Sequence, residues 1–114
     1  MNQKLDELLK ITELVFNSEK SKLKSVANEE ICILKEIESL TCAVHKRAQA
    51  LKDSDSDNFA LYSGADYLWS RWCEQEKIRL NIERAKILVR LEDQKHEAKI
   101  AFGKNAAARK ICGA

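Results

Sequence analysis

Residues 5–51 read LDELLKITELVFNSEKSKLKSVANEEICILKEIESLTCAVHKRAQAL, and the spacing of their apolar side chains decides the fold. With Leu9 at heptad position a, the a series is Leu9, Phe16, Leu23, Glu30, Ile37, Val44 and Leu51. The d series is Leu5, Thr12, Glu19, Val26, Ile33, Leu40 and Arg47. Nearly every a position and most d positions are apolar. A repeat of this period, kept up over many turns, marks a helix that buries a narrow seam against another helix. A helix over about residues 5–52 is roughly 70 Å long at about 1.5 Å per residue. Such a length is held by packing rather than by intrinsic propensity.

The run stops at Asp53-Ser54-Asp55-Ser56-Asp57-Asn58. Asp, Ser and Asn side chains hydrogen-bond nearby backbone and so compete with helical pairing. This places an acidic turn at about 53–62, with a short helical turn around Asn58–Tyr62. Ser63-Gly64-Ala65-Asp66 then reads as a capped helix start, with Ser63 at the N-cap and Asp66 three residues on. The second helix is expected over about 63–109. Two long helices with a short polar connection fold back on each other. The expected fold class is therefore all-α, an antiparallel two-helix coiled-coil hairpin forming one domain over 1–114, with Leu51 near Gly64, Val44 near Arg71 and Phe16 near Lys99.

Working outward, the composition agrees with long helices. The 114 residues include no Pro and three Gly, and 33% are charged. Pro and Gly are what end helices. Aromatics make up only 6%, which favours burial along a seam over a compact globular core. There is no run of about 18 apolar residues to span a membrane. The N-terminus lacks the order of a secretory signal, so a cytoplasmic location is expected.

The net charge of +2 is unevenly spread: after Glu97 every charged side chain is positive, namely Lys99, Lys104, Arg109 and Lys110. Cations suit the C-terminal end of a helix dipole, and they also make a short basic patch for an acidic partner. No nucleic-acid motif accompanies them, so no nucleic-acid partner is expected.

The second helix carries two apolar sets that recur every eleven residues. One is Tyr67, Ile78, Val89, Ile100 and Ile111, joined by Ile82 and Ala85; the other is Trp69, Leu80, Leu91 and Phe102, joined by Cys73, Ile87 and Ala98. An eleven-residue period, about 3.67 residues per turn, lies close to that of a straight helix. The two sets occupy nearly opposite faces, and helix 1 covers only one of them. The other is left for a partner, either a second copy in a four-helix dimer or a different protein. Near its start, helix 1 also has Leu5, Leu8, Leu9, Ile11, Leu14, Val15 and Phe16 on most sides, more than one seam buries. Trp69 and Trp72, near Tyr62 and Tyr67, read as a plug at the helical tip, with one indole turned inward and the other free.

Sites of other kinds are weak. Asp53-x-Asp55-x-Asp57 opens like a calcium loop, but Asn58 stands where Gly is needed and Gly64 where a bidentate Glu is needed. The four cysteines, Cys32, Cys42, Cys73 and Cys112, form no Cys-x-x-Cys pair. Antiparallel pairing sets Cys42 across from Cys73 with His45 a turn away, yet Cys42 falls at an outward position, so free thiols are expected rather than a metal site. His45 and His96 have no nucleophile with an orienting carboxylate, and no Gly-rich phosphate loop occurs. No enzyme activity, catalytic residue or cofactor is expected.

The stretch Gly64-Ala65-Asp66…Trp69…Trp72…Arg79-Leu80-Asn81, followed by Ala101-Phe102-Gly103-Lys104, resembles short FliJ-like proteins of the flagellar and type III export apparatus. The helical plan matches over most of the chain, and the quoted pattern over its second half. The resemblance implies a non-enzymatic stalk whose open end, bearing both termini, enters the ring of an export ATPase, with other parts meeting the export gate. The candidate partner-binding residues are Leu5, Leu9 and Phe16 on helix 1, Leu80, Leu91, Ile100 and Phe102 on helix 2, and the basic Lys104, Arg109 and Lys110. The alternative is a self-associating coiled-coil scaffold or adaptor unrelated to export.

Overall fold

The computed structural model describes residues 2–53 and 56–113, with side chains from 3–53 and 64–113. Helix α1 runs over Asn2–Asp53 and helix α2 over Ser56–Gly113. No strand occurs among the described residues. The start of α2 differs from the expected one, for the helix already includes residues 56–63 of the expected turn and cap. With no Pro after the acidic run and Gly64 the first Gly, nothing there costs enough to delay the helix. One glycine in a helix costs only about 1 kcal/mol against alanine. The suggested calcium loop, the Ser63 cap and the Tyr62 part of the aromatic plug depend on Asp55 and on side chains between 56 and 63, outside the described residues.

The chain forms two compact units, one of residues up to Glu30 with those from Ile87 on, the other of Ile31–Lys86. Each contains one segment of each helix, packed antiparallel. The fold is therefore an all-α antiparallel two-helix coiled-coil hairpin. Every a and d position of α1 is buried or half-buried except Arg47, which is exposed. The heptad assignment holds even where the residue is polar, as at Thr12, Glu19 and Glu30.

In the first unit, α2 turns Ile87, Leu91, Gln94, Ala98, Ala101, Asn105, Ala108 and Cys112 toward α1. The antiparallel register is fixed by cross-seam contacts. The Cys112 thiol donates to the Leu5 carbonyl oxygen at 3.2 Å. The Thr12 hydroxyl is shared between the Leu9 carbonyl oxygen at 2.9 Å and Asn105 Oδ1 at 3.3 Å. Phe16 meets Phe102 edge to face, with ring centroids 5.5 Å apart. Phe16 thus lies nearly one turn beyond its expected neighbour, Lys99. Arg90 Nη1 donates to Glu29 Oε2 at 2.8 Å.

In the second unit, Trp69, Cys73, Glu76, Leu80 and Glu83 of α2 turn inward toward Ile33, Ile37, Leu40 and Val44 of α1. Cys73 is fully buried and Leu80 is 2% exposed. Near the tip, Arg47 Nε donates to Asp66 Oδ1 at 2.8 Å. The indole of Trp69 is half-buried, whereas Trp72 is 52% exposed, so one ring packs and the other does not.

The buried positions of α2 alternate in steps of three and four, except that Glu83, Ile87 and Leu91 follow at two successive steps of four. This is a four-residue stutter in a heptad pattern. It makes Trp69, Leu80 and Leu91 an eleven-residue series only locally. Past Leu91 the seam returns to the heptad, through Ala98, Asn105 and Cys112, because a 3.5-residue period keeps the contact line facing a partner helix. Phe102, expected to continue the eleven-residue series, is carried to the edge of the seam, 58% exposed with its ring still against Phe16.

Candidate protein-binding surface

The first unit packs its helices in an unusual sense. Past Leu91 its most buried α2 positions are Ala98, Ala101, Asn105 and Ala108, at 8%, 4%, 3% and 3% exposure, whereas nearer the middle of the chain Ile87 is buried as well. The bulky Ile100 and Phe102 between them and Ile111 just beyond face outward and are all more than two-fifths exposed. Small side chains let the two backbones approach closely. Over this stretch the helix therefore hides Ala98, Ala101 and Ala108 and leaves Ile100, Phe102 and Ile111 largely in water, with Ala107 outside as well. Burial of apolar area is the main favourable term in association, at about 25 cal/mol per Å². Leaving large residues outside and small ones inside supplies that area to a partner.

Of the two stripes on α2, the set with Trp69, Leu80 and Leu91 faces α1. In the opposite set Tyr67, Ile78 and Ile82 are exposed in the second unit, as are Val89, Ile100 and Ile111 in the first. On α1 of the first unit, Leu8, Ile11, Leu14 and Val15 are also exposed.

The candidate partner-binding residues divide accordingly. Leu80 is buried, and Leu5, Leu9, Phe16 and Leu91 are half-buried along the seams, where they hold the helices together. Ile100, Phe102, Lys104, Arg109 and Lys110 are exposed. Arg109 lies 3.6 Å from Glu13 of α1. The sequence reading missed Ala101, Asn105 and Ala108 as seam residues. Their signal was the three-and-four spacing that continues from Ala98, hidden because alanine contributes little hydrophobic contrast.

The polar side chains in the seams are engaged, apart from Asp66 Oδ2, which is buried without a hydrogen-bond partner. Gln94 donates from Nε2 to the Glu19 carboxylate and, at 3.2 Å, to its backbone carbonyl oxygen. That amide hydrogen bond holds the Glu19 carboxyl below its ordinary range, against a smaller upward push from desolvation, with help from Lys22. On α2 of the second unit, the Arg79 guanidinium hydrogen-bonds Glu76 at 2.8 Å and lowers its carboxyl likewise. These are a seam hydrogen bond and surface ion pairs of ordinary kind. Cys32 and Cys42 are exposed, Cys112 is half-buried, and no group of three His, Cys, Asp or Glu side chains converges among the described residues.

No helix among the described residues is long and apolar enough to cross a membrane. No protein-family model, curated protein or solved structure matches the chain.

Proposed function

We propose that the chain is a non-enzymatic protein-binding hairpin, and that it serves as the stalk of a flagellar or type III export apparatus, where it binds and promotes an export ATPase ring. The observation that carries the protein-binding reading is the inverted packing of the first unit, with Ala98, Ala101 and Ala108 inside and Ile100, Phe102 and Ile111 outside. The export assignment is supported by the resemblance in residues 64–81 and 101–104. The apolar and basic surface near both termini has the composition that such a stalk needs at its inserted end. Phe102, Lys104 and Lys110 are its exposed anchors. Aromatic and cationic side chains are typical interface anchors.

The test is co-purification of the chain with a hexameric export ATPase, followed by stimulation of ATP hydrolysis. Phe102→Asp and the double charge reversal Lys104→Glu/Lys110→Glu are expected to abolish capture while helical circular dichroism is retained. Undiminished capture by both variants removes this surface; no capture by the native chain removes the export reading.

A further inference from the structure

One flank of the first unit carries two apolar ridges of matching character. Farther from the termini, a groove on that flank is lined by Lys22 and Ser25 of α1 and by Arg90, Asp93 and Glu97 of α2. Heptad steps keep a residue on the same flank of a helix in this packing. From Lys22 and Ser25, stepping back by heptads reaches Val15 and Leu8 on one line and Ser18, Ile11 and Lys4 on the other. From Asp93 and Glu97, stepping forward reaches Ile100, Ala107, Lys104 and Ile111. The charged groove thus gives way, toward the termini, to an α1 ridge of Leu8, Ile11 and Val15 beside an α2 ridge of Ile100, Ala107 and Ile111. Exposure is 44%, 57% and 46% on the first ridge, and 41% for Ile100 and 54% for Ile111 on the second.

We propose that this face binds a second copy of the chain, with the α1 ridge of one copy seated on the α2 ridge of the other about a two-fold axis. The proposal deepens the protein-binding reading above and names one of its partners.

Three observations select a second copy. The ridges are complementary in shape: Leu8, Ile11 and Val15 are bulky and spaced three and four apart, while α2 offers Ala107 and the neighbouring Gly103. A side-chain carbon at Gly103 would meet nothing within 4 Å, so that space is open in the single chain. The charges also choose the arrangement. From Ala98 on, α2 has four cations and no acid, whereas α1 up to Val15 is close to balanced, with Asp6 and Glu7 against Lys4 and Lys10 and Glu13 already beside Arg109 of the same chain. Stacking α2 on α2 sets the cationic ends against each other, and like charges in contact disfavour that arrangement. Seating α1 on α2 avoids this and brings Glu7 toward a cationic rim. Finally, a two-fold interface uses every ridge twice. The exposed large residues of both copies, with their rims, then reach about the 1,000 Å² that separates a specific interface from an incidental contact.

The experiment is sedimentation velocity on the full chain. A species of twice the 13.0 kDa chain mass is expected, returning to the monomer on dilution. Ile11→Asp and Ile100→Lys are each expected to weaken dimerisation by about 30-fold or more, the effect of losing a central interface side chain, with helical circular dichroism unchanged. Mixing the two variants is the decisive step. In the mixed dimer one contact pairs the introduced carboxylate with the introduced ammonium and the other contact is native, whereas each variant alone buries an unpaired charge in both contacts, so dimer must reappear. A native chain that sediments as monomer at about 100 µM, well above the micromolar dissociation constants reached by standard interfaces, overturns the proposal. A dimer that survives both substitutions overturns it too, as does a mixture that stays monomeric. ATPase capture is read separately through Phe102. A monomer that still captures the ATPase sinks only the self-pairing, and a dimer that captures none sinks only the export reading.

Discussion

Gln94 reaches across the seam of the first unit to Glu19, its amide nitrogen donating to both the carboxylate and the backbone carbonyl oxygen of that residue. Both residues occupy positions that a heptad reserves for apolar side chains. A polar pair there trades some burial energy for a fixed register, since sliding either helix leaves donor and acceptor unpaired. Thr12 and Asn105 make the same kind of contact toward the termini. The two pairs hold the first unit in alignment while its alanines supply little side-chain interlock.

Acid should loosen the first unit through Glu19. Its folded pKa is lowered from the ordinary value of 4.5, chiefly by the Gln94 hydrogen bond. A carboxyl with a depressed folded pKa contributes stability that is fully present above the unfolded pKa and is lost as pH falls through the folded one. The loss therefore begins near pH 4.5 and continues below it. Thermal melts between pH 6 and pH 3 should show a steeper acid limb for the native chain than for Gln94→Ala. Equal slopes would show that the amide does not hold the carboxylate.

The alanine-lined seam should reject larger residues. Ala101 is 4% exposed and faces α1, so Ala101→Leu forces the helices apart. Overpacking of this kind costs about 1–3 kcal/mol. Leu14, 70% exposed on α1, offers the control, because Leu14→Ala there should change stability by no more than about 0.5 kcal/mol. Urea denaturation of both variants checks the pair. A neutral Ala101→Leu would mean that the helices are not closely apposed at that level.

Much of this was legible from α1 alone. Its heptad placed Leu5, Thr12, Glu19 and Glu30 in the seam although three of the four are polar, because the period outweighs any single residue. Helix α2 resisted the same reading for two physical reasons. Its seam is partly alanine, which looks alike inside and outside. Its stutter at Ile87–Leu91 also makes an eleven-residue period fit until Phe102, where the packing requirement returns to the heptad. The choice between the two stripes could not be made from periodicity, since both are apolar and evenly spaced. It is made by what α1 meets: Cys73 and Leu80 fit against it, and Tyr67, Ile78 and Ile82 remain outside. The candidate surface was legible as an excess of apolar residues near the termini. Which of them face outward was not.

Leu80 anchors the second unit. It is 2% exposed and borders a groove with Leu40 and Ala43 of α1. Truncation there removes transfer energy and leaves a cavity, so Leu80→Ala should cost about 2–5 kcal/mol. Ile78, two residues away and 59% exposed, should tolerate the same truncation within about 0.5 kcal/mol. Denaturant midpoints measure both. Similar costs at the two positions would mean that the stripe facing α1 has been assigned to the wrong side of α2.

The cysteines give a chemical reading of the same geometry. Cys32 and Cys42 are exposed on α1, Cys112 is half-buried with its thiol donating to the Leu5 carbonyl oxygen, and Cys73 is fully buried. Modification requires a thiolate that the reagent can reach, so accessibility orders the rates. An aromatic disulfide reagent at neutral pH should therefore modify two thiols quickly, a third more slowly, and the fourth only when the chain unfolds. Peptide mapping should assign the fast pair to Cys32 and Cys42. Cys73 then reports opening of the second unit, and its protection should drop in Leu80→Ala while remaining high in Leu14→Ala. Rapid labelling of Cys73 in the native chain would contradict the packing of α2 against α1 on which the choice of outward stripe depends.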